Sequence, residues 1–142
     1  MITVALLSEF YLSSPEAAVQ YDASRDAFSG TRHKFERITD VELSILWSIL
    51  RDEEWDSDLL DHFEMVFEAG GGDRLIIQLP AEFLDTVAEL PEDLVPEAAE
   101  VWADTEELQC EPSDVQPVIE ALAALGRAAK AGNEKVYLWI CV

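Results

Sequence analysis

Two spacings of apolar residues organise this chain, one helical and one strand-like. Leu43, Leu46, Trp47 and Leu50 recur at i, i+3, i+4 and i+7, with Ile45 and Ile49 widening the stripe, which predicts a largely buried helix. Its start lies in Ile38-Thr39-Asp40-Val41-Glu42-Leu43. Thr39 is placed to cap the Glu42 amide, Glu42 to reach back to the Thr39 N–H, and Ile38 to staple onto Leu43. Phe63, Met65 and Phe67 alternate with Glu64, Val66 and Glu68, and Leu75, Ile77 and Leu79 alternate with Arg74, Ile76 and Gln78. That is the period of strands with one solvated face. Ala69-Gly70-Gly71-Gly72-Asp73 between them predicts a hairpin turn, its glycines supplying positive φ. A phosphate cradle would need a following Lys-Ser/Thr and a helix, or GxGxxG opening a helix, whereas Asp73-Arg74 and a strand follow here.

Beyond Pro80 the pattern is helical. Phe83, Leu84, Val87 and Leu90 form one stripe, and Leu94, Ala98, Val101, Trp102 and Leu108 a second, both backed by acids, with Pro91 and Pro96 where first turns tolerate proline. Ser113-Asp114-Val115-Gln116 reads as a second capping box. It opens a stripe of Val115, Val118, Ile119, Leu122, Leu125 and Ala129 that Gly132 stops. Val136, Leu138, Ile140 and Val142 alternate with Tyr137, Trp139 and Cys141, so both faces of the last strand are apolar and it belongs inside the sheet. At the other end, Ile2 to Leu7 is an apolar run of strand length, and Ser13-Ser14-Pro15-Glu16 opens a short helix to about Tyr21. Residues 24–34, with mixed charge and Gly30, predict a surface loop, and Phe35 is a candidate for an edge strand. Together these elements predict the α+β class: one two-layer domain over residues 1–142, with a mostly antiparallel sheet of about four strands and four to five helices packed on it.

Charge changes the picture more than composition does. The chain carries 30 acidic and 9 basic residues, a net charge of −21, yet 49% of it is hydrophobic, which separates it from disordered acidic chains. From Asp52 to Glu120 there are 22 acids and one base, Arg74, while the flanks hold eight of each and cancel. Salt adaptation would spread acids over the whole surface; a field confined to one stretch suits steering of a cationic partner. The same field would repel DNA, RNA and anionic membrane surfaces, so the expected partner is a basic protein, with no nucleic acid and no membrane. The only clustered bases are Arg25, Arg32, Lys34 and Arg37, read as counter-charge for the acidic region or as loop solubility. Without a basic leader, a cleavage site or an apolar run of about 18 to 20 residues, the sequence is read as cytoplasmic.

Candidate chemistry is sparse. Asp52-Glu53-Glu54-Trp55-Asp56-Ser57-Asp58 has acids at alternate positions, but a calcium loop would need Gly where Ser57 stands and Glu where Phe63 stands. A solvated linker capped by Asp56 or Ser57 into a short helix is the plainer reading. Asp58, Asp61 and His62 stand at i, i+3 and i+4 and would share a helical face, an alternative ligand set for a metal-dependent hydrolase. No Gly-x-Ser-x-Gly elbow is present, Cys110 and Cys141 carry no metal or nucleophile spacing and read as buried thiols, and no cofactor is called for. Trp55 stands out among Asp52, Glu53, Glu54, Asp56 and Asp58, since a tryptophan ringed by charge suits an interface anchor unless it plugs the core edge. Those six residues are the candidate partner-binding set. An immunity or antitoxin-like inhibitor of a cationic protein, or a nucleic-acid mimic, fits them.

The capped Leu/Trp helix from Ile38 to Leu50 and the closing Tyr137-Leu138-Trp139-Ile140-Cys141-Val142 resemble small acidic bacterial α+β proteins with no established function. The resemblance spans about half the chain and rests on core elements. It implies a bacterial α+β domain and brings no catalytic residues.

Overall fold

Residues 136–140, apolar on both sides, form the buried centre of a five-stranded sheet in the computed structural model, which describes residues 6–28 and 30–142. The strands are β1 (Leu7–Ser13), β2 (His33–Glu36), β3 (Glu64–Ala69), β4 (Arg74–Gln78) and β5 (Lys135–Cys141). Their order is β2-β1-β5-β4-β3 and every pairing is antiparallel. The class is α+β as expected, with five strands rather than four because Phe35 does lie in an edge strand, paired to Ser8. Of the strand expected over residues 2–7, residues 2–5 lie outside the described ones. The described strand begins at Leu7 and runs to Ser13, carrying Phe10 and Tyr11 to opposite faces.

Helices α1 (Pro15–Ala18), α2 (Asp40–Leu50), α3 (Ala81–Glu89), α4 (Val95–Ala103) and α5 (Pro112–Gly132) complete the chain. On one sheet face, Phe10, Ile77, Val136, Leu138 and Ile140 meet the apolar sides of α2 to α5 in the main core. The opposite face carries Tyr11, Ile76, Tyr137 and Trp139, covered by Ala18 of α1, Tyr21 and Phe28. Tyr11 stacks on Tyr21 with ring centroids 3.9 Å apart, and its hydroxyl donates to the Ala18 carbonyl. The expected loop over residues 24–34 is shorter than anticipated, since Arg25–Phe28 forms a 3₁₀ turn and β2 begins at His33.

Local signals were realised with shifts that have physical causes. Thr39 caps α2 by accepting from the Val41 amide rather than that of Glu42, while its hydroxyl donates to the Glu42 carboxylate at 2.7 Å. The box that opens α5 sits two residues earlier than expected. Glu111 is the N-cap, Asp114 returns the bond to its amide, and Pro112 occupies the first turn, where no N–H is needed. At the other end Asn133, not Gly132, takes the left-handed cap at φ 54°. The hairpin is present, with Gly70, Gly71 and Gly72 all at positive φ. However, the β3 register shifts between Met65 and Phe67, leaving Met65 55% exposed while Val66 and Phe67 pack against the second face.

Two expected outcomes follow from this packing. A Cβ at Gly126 would stand 3.2 Å from the Leu84 carbonyl oxygen and 3.4 Å from its Cβ, where α5 crosses α3, and backbone cannot yield as a side-chain tip does. Gly126→Val should therefore cost about 1–3 kcal/mol despite removing a helical glycine. Denaturant unfolding that finds it equal to or above wild type would refute the close approach. Burial raises the Glu42 pKa above the usual carboxylate range, against the Thr39 hydroxyl, which lowers it. An acid raised in the folded state stabilises the fold below its unfolded pKa and loses that contribution as pH rises through the folded value. Glu42→Gln should thus be more stable than wild type at pH 7, with the gap closing as pH falls through the raised folded value and closed by about 4.3, the unfolded value; parallel melts at both ends test this.

Candidate functional site

The acid run after α2 forms an open loop that leads into a short helical turn. Helix α2 stops as Asp52 turns to φ 53°, a conformation Asp tolerates, and the Glu53 amide closes back on the Ser48 carbonyl. Asp56 then caps a 3₁₀ turn, Ser57–His62, by accepting from the Asp58 amide at 2.9 Å, as the plainer sequence reading had it. Residues 52–58 are all exposed. Trp55 is 43% exposed and does not fill the core edge. Its indole N–H donates to the Ser44 hydroxyl at 2.9 Å, which pins the ring on α2 with much of its surface in water.

The structure divides the six candidate residues into two groups. Asp52, Glu53 and Glu54 line an open cleft of about 640 Å³, whereas Asp56 and Asp58 shape the 3₁₀ turn and Trp55 lies along α2. One wall of the cleft is the last turn of α2, with Ser48, Ile49 and Leu50. The other comprises Leu90, Leu94, Glu97, Ala98 and Val101, from the end of α3 through α4. Ser48 stands one helical turn from Ser44, so the Trp55 anchor and the cleft wall share a face of α2.

Leu94 and Val101 are 42% and 50% exposed, which corrects their assignment to a buried stripe. Helix α4 ends at Ala103, Trp102 and Ala98 take the inward face, and the apolar arc is too wide for the core to cover. That excess width, with Val101 and Trp102 adjacent, was the signal in the sequence for an uncovered side. The Asp58, Asp61, His62 alternative is not assembled. Among the described residues no three His, Cys, Asp or Glu gather as a metal site, and the His62 ring stands edge-on to Trp47. Cys110 and Cys141 are free and only half-buried, a correction to their reading as core thiols; burial raises the Cys110 pKa.

All 22 acids between Asp52 and Glu120 are exposed. Among the described residues only Glu53 of that set lies in an ion pair, with Arg51 at 3.4 Å. Of the basic cluster, Arg37 alone is seen against the acidic stretch among the described residues, in one cleft with Leu108 and Asp114. Arg25 pairs with Glu9, Arg32 with Asp26, and Arg37 donates to the Leu108 carbonyl. Arg74, the one base of the acidic stretch, turns away from it to Asp22 at 2.8 Å.

The Arg25 and Arg74 pairs belong to the second sheet face, a network that the sequence reading missed. Glu9 is 2% exposed, accepts from the Tyr21 hydroxyl and from both Nε and Nη2 of Arg25, and lies beside Trp139 in register. The Arg25 guanidinium lies 4.3 Å from the Trp139 ring centre, and the Trp139 N–H donates to Asp22. Burial, then the bond to Glu9, pushes the Tyr21 pKa up.

The consequence is an acidic surface with little internal neutralisation. Raising salt from about 10 mM to about 150 mM shortens the Debye length from about 30 to 8 Å and should raise Tm by relieving repulsion. A Tm that stays flat or falls over that range would count against crowded, unpaired carboxylates. In comparisons with known proteins, no family model, no curated protein and no solved structure matches this chain.

Proposed function

We propose that this protein is a non-enzymatic binding protein that engages a basic protein, as an immunity or antitoxin-like inhibitor or a nucleic-acid mimic does. One observation carries the reading: the carboxylates of residues 52–120 all face solvent, with one ion pair, Arg51 to Glu53, among the described residues, while Arg25, Arg32 and Arg74 pair outside that stretch. A field of this kind raises the encounter rate with a cationic partner and disfavours anionic ones. The partly exposed Trp55, held by Ser44 within the acid run, supplies an apolar anchor of the type that concentrates binding energy. The hydrolase alternative lacks a gathered ligand set among the described residues.

The test is a pull-down at low salt from a lysate of the encoding organism, using wild type and Trp55→Ala. A discrete basic protein should be retained by wild type, released by salt, and retained several-fold less by the variant. Failure to retain any basic protein would contradict the reading, and equal retention by both forms would remove Trp55 from the interface.

A further inference from the structure

We infer that the cleft between α2 and α4 is a docking groove for a cationic amphipathic helix of the partner. This inference rests on the acidic-face reading above and adds the shape of what binds. Ile49, Leu50, Leu94 and Val101 give the cleft an apolar lining, with Leu94 and Val101 open to water. Asp52, Glu53, Glu54 and Glu97 line it as well, and all but Glu53 lack an ion-pair partner among the described residues. The negative end of the α2 dipole adds to the same field, because the last turn of that helix forms one wall.

Charge complementarity selects the occupant. A neutral apolar ligand would fill the floor and leave three free carboxylates partly desolvated beside it, at a cost. A metal ion would use the carboxylates and leave the floor wet, and a second copy of this chain would bring another −21 to the contact. An amphipathic helix with Leu-like side chains at i, i+3, i+4 and i+7 and Lys or Arg beside them satisfies both at once. Its stripe covers Leu94 and Val101 while its cations reach the carboxylates.

A synthetic Leu/Lys peptide of about 15 residues, with Leu at those spacings, serves as the probe, with a scrambled peptide of the same composition as its control. Calorimetric titration at low salt compares wild type, Val101→Glu and Asp85→Asn. Val101 is half exposed, so its substitution should leave the fold intact, which circular dichroism verifies. The amphipathic peptide should bind wild type at least about tenfold more tightly than the scrambled one, and Val101→Glu should erase about that factor. Bulk charge attraction predicts the reverse sign, since this variant adds an acid. Asp85, which does not line the cleft, should change affinity less than about twofold when neutralised. Equal binding of both peptides, or tighter binding by Val101→Glu, would overturn the groove and leave the acidic-face reading standing. No binding of either peptide would overturn both.

Discussion

A central strand that is apolar on both faces must be covered twice, and the rest of this structure follows from how the chain does so. Helices α2 to α5 cover one face of β5 with the main core. Among the described residues the second face receives a short helix, a 3₁₀ turn and a few aromatic rings, and its polar ends are closed by ion pairs. Those pairs take Arg25 and Arg74, setting them against Glu9, Asp22 and the Trp139 ring. The segment from Asp52 to Glu120 meanwhile gives most of its apolar residues to the core, Trp55, Met65, Leu94 and Val101 excepted, and turns its carboxylates to water. Its single base is held on the far side of the sheet. Burying both faces therefore leaves the carboxylates of residues 52–120 in water, with one ion pair to them among the described residues.

Elements whose pattern is local and strongly periodic were legible in the sequence. The α2 stripe, the glycine hairpin, the body of α5 and the two-sided final strand all lie where spacing placed them. Cap details were less so. At the start of α5, Ser113 matched the commoner capping chemistry, yet Glu111 followed by Pro112 sets the helix, because the proline needs no N–H partner in the first turn. Met65 was read as inward by simple alternation, which one extra residue in an edge strand reverses.

The candidate site was half visible. Trp55 and its acidic neighbours were picked out by composition alone, and the loop is as open as the charge run implied. The cleft was not visible, because Leu94 and Val101 look like core residues to a periodicity argument that cannot say which side of a wide stripe lacks a partner. The Glu9 network was hidden for another reason. It joins Glu9, Tyr21, Asp22, Arg25, Arg74 and Trp139 across the sheet, and nothing in local spacing predicts such long-range pairing. The apolar second face of β5 was its one indirect sign, since that face required cover.

The claim to be tested is a negative field concentrated over the surface of residues 52–120. Relaxation enhancement of backbone amides by a cationic and by an anionic paramagnetic cosolute reads that field site by site in the free protein. The cation should be strongly enriched over exposed positions of residues 52–120, above all around residues 52–54 and Glu97, and only weakly around residues 22–34. Equal enrichment over the whole surface would contradict a localised field, and with it the proposed partner chemistry.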